Sequence, residues 1–140
     1  MNKHIITTLY EYLNEKVLNK ILYHGSYTDG LTRLEPYSNL RNNIPPSIFL
    51  SSKKSVAKDY GDYIYLCKID VNNIKTIDVN GESFHNFLSF ERDITNAYDD
   101  EYDCIIFKNI MDSKEPDNIV PLSDIYVIFD INKVNILDKI

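Results

Sequence analysis

The chain predicts an α+β domain whose sheet is mostly antiparallel. An apolar stripe at helical spacing opens it, and short β-type runs fill its final third. Helices early and strands late, with no regular alternation between them, argue against a doubly wound parallel sheet.

Residues 4–19 carry Ile5, Leu9, Leu13 and Val17 at four-residue spacing, widened by Ile6 and Tyr10, which predicts an amphipathic helix. It is expected either to cover an edge of the sheet or to help recognise a target. Ile21-Leu22-Tyr23 is then a short strand that ends in the turn His24-Gly25-Ser26. Residues 27–46 are polar and end in Pro45-Pro46, so they form neither a helix nor an inner strand. A loop of that length in a small domain points to a lid or binding segment, or to disorder. Ile48-Phe49-Leu50 reads as a strand. Ser51 or Ser52 is expected to cap a short helix that runs through Tyr60 and ends at Gly61, with Val56 and Tyr60 on one face.

Two strands, 63–70 and 74–79, flank the turn Asn72-Asn73; Tyr63, Tyr65, Cys67 and Ile69 share one face of the first. A second helix is expected over 83–97, anchored by Phe84, Phe87, Leu88 and Phe90. The runs 104–107, 125–129 and 134–137 complete the sheet.

At 140 residues the chain is expected to be a single domain, with a helix over 1–19 and a core over 20–140. Hydrophobic residues make up 44% and charged residues 26%, a globular balance. No apolar run is long enough to span a bilayer, and the N-terminal segment does not read as a signal peptide, so no membrane partner is expected. The net charge of −6 speaks against nucleic acid as a main partner and leaves room for a small anionic ligand. Cys67 and Cys104 sit in apolar runs and read as buried free thiols. They make neither a disulfide framework nor a metal set, so a reducing compartment is expected and no metal site.

Three segments carry chemistry-bearing residues. Tyr23-His24-Gly25-Ser26 places an imidazole beside a residue whose backbone can approach a ligand closely; a histidine at a strand end is also commonly structural. Ser47-Ile48-Phe49-Leu50-Ser51-Ser52, followed by Ala57-Lys58-Asp59-Tyr60, is a strand, a polar turn and a short helix presenting a ring. Tyr60 can equally be a core aromatic. Ser123-Asp124-Ile125-Tyr126-Val127-Ile128-Phe129-Asp130 is a strand entered through an acid, followed by the last strand over Val134-Asn135-Ile136.

Together and in this order, the three resemble the signatures of ADP-ribosyltransferases of the diphtheria-toxin and poly(ADP-ribose) polymerase type. That family carries a strand ending in His-Gly-Ser or His-Gly-Thr. It then has Gly-x-Tyr-Phe with a following Ser or Ala, and a helix with Ala-x-x-Tyr or Ser-x-x-Tyr. Last comes a strand of the type Glu-Tyr-hydrophobic-hydrophobic-Tyr-Asp. His24-Gly25-Ser26, Ile48-Phe49-Leu50-Ser51 with Ala57-Lys58-Asp59-Tyr60, and Tyr126-Val127-Ile128-Phe129-Asp130 are similar to these. Tyr102-Asp103-Cys104-Ile105-Ile106 looks like the strand before the third, and the resemblance covers residues 20–138.

The resemblance implies split antiparallel β-sheets with a few flanking helices, and NAD as the substrate. It implies that His24 binds a ribose hydroxyl, that the Gly25 backbone pairs with the nicotinamide carboxamide, and that Ser26 assists. Tyr60 would stack on the nicotinamide and Phe49 would form the other wall, with Ser51 and Ala57 beside them. The loop 27–46 takes the place of the donor loop, where Arg41 or Arg33 would meet the pyrophosphate.

The sequence departs from the family pattern at three places. Ser47 stands where the family has Gly, and Phe49 where it has Tyr. Aligned without a gap, the catalytic glutamate falls on Ile125; shifted by one residue it falls on Asp124. Strand alternation puts these two on opposite faces unless a β-bulge turns Asp124 inward. Glu91 or Glu101 would be other sources of the acid.

An apolar residue at that position implies transfer of a single ADP-ribose to a macromolecule, a protein acceptor being expected, rather than chain elongation. The alternatives are a catalytically inactive NAD-binding or protein-interaction module and an NAD glycohydrolase. A phage-encoded or bacterial toxin-like effector acting in the bacterial cytoplasm is the expected setting.

Overall fold

The β-branched and aromatic runs of the sequence become seven strands in a computed structural model that describes residues 18–36, 44–85, 87–115 and 119–140. The helix expected over 4–19 lies outside the described residues up to position 17, and 18 and 19 open a strand instead. In chain order the elements are β1 (Leu18–Ser26), β2 (Ile48–Ser51), helix α1 (Lys54–Ala57) with a 3-10 turn (Lys58–Tyr60), β3 (Tyr63–Val71) and β4 (Ile74–Asp78). They continue through helix α2 (Phe87–Asp99), β5 (Cys104–Ile110), β6 (Ser123–Ile128), a 3-10 turn (Ile131–Lys133) and β7 (Val134–Lys139).

The architecture is α+β, a mixed seven-stranded sheet in the order β4-β5-β6-β2-β1-β3-β7 with two short helices. All pairings but the parallel β4–β5 are antiparallel. The sheet is one rather than the split pair expected, because β1 and β2 meet through the residue pair Tyr23↔Ser51. That join is narrow: β1 pairs with β3 over its whole length, and β2 with β6 over all four of its residues. The seam between β1 and β2 is therefore the least zipped place in the sheet.

Alternation along the strands sorts apolar side chains onto two faces. One core cluster takes Leu22, Ile48, Leu50, Cys67, Ile69, Cys104, Ile106, Tyr126 and Ile128, so residues from both sides of the seam share it. The Lys20 ammonium donates to the Tyr126 hydroxyl at 3.0 Å and joins the two sides again. The other cluster takes Ile105, Phe107, Ile125 and Val127 from β5 and β6 and packs them against Phe90, Ile94 and Ala97 of α2. Phe90 meets Phe107 edge-to-face, their centroids 5.0 Å apart. Both cysteines are buried free thiols, each pushed up to about 12 mainly by that burial.

Three local expectations need correction. The second helix starts at Phe87 rather than at 83, because Phe84 lies before it in a turn held by Phe84 N donating to Met111 O at 3.0 Å. Leu88 is no anchor, being 80% exposed, since the 3.6-residue period that buries Phe90 and Ile94 turns it outward. Neither Ser51 nor Ser52 caps α1: the cap position is Lys53 and no side chain bonds there. Ser51 Oγ instead accepts from Lys53 N at 3.1 Å, and Ser52 Oγ from Asp124 N at 2.9 Å. β3 and β4 flank Asn72-Asn73 without pairing, because Asp103 Oδ2 accepts both turn amides, each at 3.2 Å. The turn passes the chain from one half of the sheet to the far edge of the other.

The end of β1 and the turn after α1 touch backbone to backbone. A Cβ on Gly25 would lie 1.9 Å from the Ala57 carbonyl oxygen, and one on Gly61 would lie 2.3 Å from the Ser26 carbonyl carbon and oxygen. Gly61 has φ 167°, extended backbone open to any residue, so the contact and not the dihedral demands glycine there. Gly61→Ala is expected to destabilise the fold by about 1–3 kcal/mol through overpacking. A thermal melt checks it, and an unchanged midpoint would show that the turn can back away from β1.

Candidate functional site

The seam opens into a cleft of about 650 Å³. Register explains which residues meet there. Tyr23 pairs with Ser51 and Ser51 pairs with Ile125, so the ends of β1, β2 and β6 lie side by side at one level of the sheet. Of the residues singled out in the sequence, the cleft is lined by His24, Gly25, Phe49, Ser51, Ala57, Tyr60 and Ile125. These come from segments about a hundred residues apart in the chain.

His24 bridges the seam, its Nδ1 lying 2.9 Å from the Phe49 carbonyl oxygen. A carbonyl only accepts, so Nδ1 carries the hydrogen and Nε2 of the neutral ring is an acceptor. Burial lowers the imidazole pKa, opposed in part by that same carbonyl. The ring is therefore neutral at pH 7 and suited to accept from a hydroxyl.

Tyr60 is set by two attachments. Its backbone belongs to the 3-10 turn fixed against β1 by the glycine contacts above. Its hydroxyl donates to Asp112 Oδ1. Asp112 follows β5, where Ser83 and Met111 form a parallel bridge that carries the β4–β5 ladder onward. Met111 N donates to Glu82 O at 3.0 Å, and His85 Nε2 lies 2.8 Å from the Ser113 carbonyl. Lys114 N donates to Asp59 Oδ2 at 2.7 Å, which ties the far end of this strap to the Tyr60 turn. Asp112 is 7% exposed and lines the cleft. Burial pushes its carboxyl up to about 6, the Tyr60 hydroxyl pulling the other way. Tyr60 itself is pushed far above the usual phenol range, first by burial and then by the Asp112 charge, so it stays the donor.

The two candidates for the acid on β6 lie on opposite faces. Ile125 is 2% exposed and lines the cleft. Asp124 does not line it: its Oδ1 accepts from Asn109 N at 3.0 Å. The register irregularity lies on β5 between Phe107 and Ile110, where Asn109 takes φ 57°, and Asp124 binds the freed amide there. The bulge thus holds Asp124 away from the cleft rather than turning it in.

Ser26 stands just outside the cleft, its Oγ accepting from Thr28 N at 3.0 Å. Arg41 lies outside the described residues. Arg33 is exposed, 3.8 Å from Glu35, and does not line the cleft. Glu91 of α2 does line it, whereas Glu101 is exposed at a turn with φ 66°. The loop that starts at 27 is anchored by Tyr65, whose hydroxyl donates to Thr28 O at 2.7 Å and accepts from Leu31 N at 3.2 Å. Sequence reasoning missed Asp112 and His85 and read Phe84 only as a helix anchor. The available signal was an acid directly after a buried strand, Ile110-Met111-Asp112, with no periodicity to give its direction.

No family model and no curated protein matches this chain. Among the described residues no helix is long and apolar enough to cross a membrane, and no cluster of His, Cys, Asp and Glu is arranged to hold a metal ion.

The Asp112 carboxyl gives a pH signature. Its folded pKa, about 6, lies above the unfolded value of 3.8, so the folded state binds more protons between these values. Its contribution to stability is greatest below the window and is lost as pH rises through it, on the order of 3 kcal/mol by pH 7. Asp112→Asn keeps an acceptor for Tyr60 and removes the charge. It is expected to melt higher than the parent at pH 7.5 and to lose most of that margin at pH 4. An equal margin at both pH values would show an unshifted carboxyl.

Proposed function

We propose that the chain is a mono-ADP-ribosyltransferase of the diphtheria-toxin and poly(ADP-ribose) polymerase type. It would cleave NAD at the nicotinamide–ribose bond and pass ADP-ribose to a protein acceptor. One observation carries this reading: His24, Gly25, Phe49, Ser51, Ala57 and Tyr60 of the first two signature segments, and Ile125 at the head of the third, line one cleft at the seam of the sheet.

Each group in the cleft has a part in that reaction. Nε2 of His24 accepts from a ribose hydroxyl, its tautomer fixed by the Phe49 carbonyl. The Gly25 backbone pairs with the carboxamide of the nicotinamide, its side-chain direction being taken up by the Ala57 carbonyl. The Tyr60 ring stacks on the nicotinamide, held in place by Asp112, and Phe49 bounds the opposite side. The bond from the ribose carbon to the ring nitrogen breaks with its electron pair passing to nicotinamide, which leaves neutral. The acceptor's nucleophile bonds to that carbon from the other face and gives up a proton. The transition state is oxocarbenium-like, as in glycoside transfer. With Ile125 on the floor, no carboxylate from β6 binds the ribose, which suits a single transfer and not chain growth. The fit is to a bacterial or phage-encoded effector that acts in the bacterial cytoplasm.

The same isoleucine favours a second reading, an NAD-binding module that does not turn NAD over. Incubation of the purified protein with labelled NAD, with and without a bacterial lysate, separates the two. Transfer predicts a labelled band and released nicotinamide that depend on lysate; release without lysate would mean hydrolysis, and binding with neither product would mean the inactive module. Loss of stacking in Tyr60→Ala is expected to lower turnover roughly 5- to 150-fold, and His24→Ala should abolish the label. Unchanged turnover in both variants would refute the site.

A further inference from the structure

The cleft has aromatic walls and one deeply buried carboxyl. Phe49, Phe84 and Phe90 line it, Phe84 meeting Phe49 edge-to-face with centroids 6.2 Å apart and meeting Phe90 at a tilt with centroids 5.4 Å apart. Asp112 sits among them, held at one oxygen by the Tyr60 hydroxyl. A fold that needed only an anchor for Tyr60 would be served by a neutral acceptor, because a buried carboxyl costs stability unless a cation compensates it. The cation of this strap, Lys114, is turned to the Tyr27 hydroxyl and ring and is exposed, which leaves the carboxyl with only partial compensation from His85 on the segment before α2.

We propose that Asp112 selects for positive charge on a planar aromatic ligand ring, so that this end of the cleft takes a pyridinium cation in preference to its neutral counterpart. In NAD that cation is the oxidised nicotinamide ring, and to this extent the inference rests on the function proposed above. Two effects act in the same direction. A carboxylate in a partly desolvated site attracts a nearby cation far more strongly than it would in water. The faces of Tyr60 and Phe49 favour a cation as well. A carboxyl pKa near neutrality fits the same picture, because a bound cation would draw it back down. Tyr60 and Asp59 face Asp112 from the 3-10 turn, and His85 faces it from the segment before α2. Glu91 of α2, His24 and Glu35 share the cleft.

The probes are nicotinamide, a neutral ring, and 1-methylnicotinamide, a pyridinium, with NAD measured alongside. Dissociation constants come from calorimetry on the full chain, for the parent, Asp112→Asn and Tyr60→Phe. The parent is expected to bind the pyridinium roughly tenfold more tightly than nicotinamide at pH 7.5. Asp112→Asn should bring that ratio close to one with little change for nicotinamide, and Tyr60→Phe should retain it. In the parent the ratio should shrink as pH falls from 7.5 to 5, and in Asp112→Asn it should stay flat. Equal losses for both rings in Asp112→Asn would mean that Asp112 only positions Tyr60, and would overturn the inference. A pH slope that persists in Asp112→Asn would place the titrating group elsewhere and also overturn it. If NAD binds without charge selection, the inference fails alone. If the pyridinium is selected and NAD is not bound, the inference stands and the NAD reading fails.

Discussion

Two glycines set the geometry on which the cleft depends. Gly25 ends β1 against the carbonyl of Ala57, and Gly61 lies on the backbone of Ser26. Neither contact admits a Cβ, so the short helix and its 3-10 turn are clamped directly under the end of β1. The main chain of Tyr60 is thereby placed beside His24 before any side chain interacts. Hydrogen bonds then refine what the backbone has fixed: His24 to the Phe49 carbonyl across the seam, and Tyr60 to Asp112. Covalent connection contributes little here, since residues 27–47 separate β1 from β2 and Asp112 comes from the last third of the chain. Close packing of bare backbone is the cheapest way to hold ring and imidazole in fixed relation.

Much of the strand content was legible because a two-residue period has only two faces to fill. Ile125 and Val127 had to share a face, with Tyr126 and Ile128 on the other, and the two core clusters divide as that alternation requires. The alternation also separates Asp124 from Ile125, and the structure adds the reason that the acid stays outside: the bulge on β5 offers it an unpaired amide. What the sequence could not reveal lies in partner choice and in irregular chain. Nothing local to Asn72-Asn73 says that the strands on either side join different halves of the sheet; that follows from Asp103, thirty residues on, taking both turn amides. Leu88 looked like a core residue because a hydrophobic count over 84–90 ignores phase, and the helical period sets it opposite the face that Phe90 and Ile94 bury. Asp112 was invisible for a different reason. It belongs to no periodic segment, and its direction comes from a bridge between Ser83 and Met111.

The placement of charge is the physical issue the cleft raises. An acid at position 125 would stand on the floor of the cleft, level with Ser51 and Tyr23. Isoleucine there belongs instead to the apolar cluster that seats α2. Asp112 approaches from the wall, at the hydroxyl end of Tyr60. In the proposed complex that moves negative charge from the ribose toward the departing ring. A carboxylate at the ring stabilises the pyridinium of the bound substrate more than the transition state, in which the ring is losing its charge. Such a group strengthens binding and does not accelerate departure. On the proposed reading, stabilisation of the sugar cation then falls to the acceptor and to Glu91, which also lines the cleft. Where the acceptor supplies it, the proposed reaction waits for the target and idle hydrolysis is disfavoured.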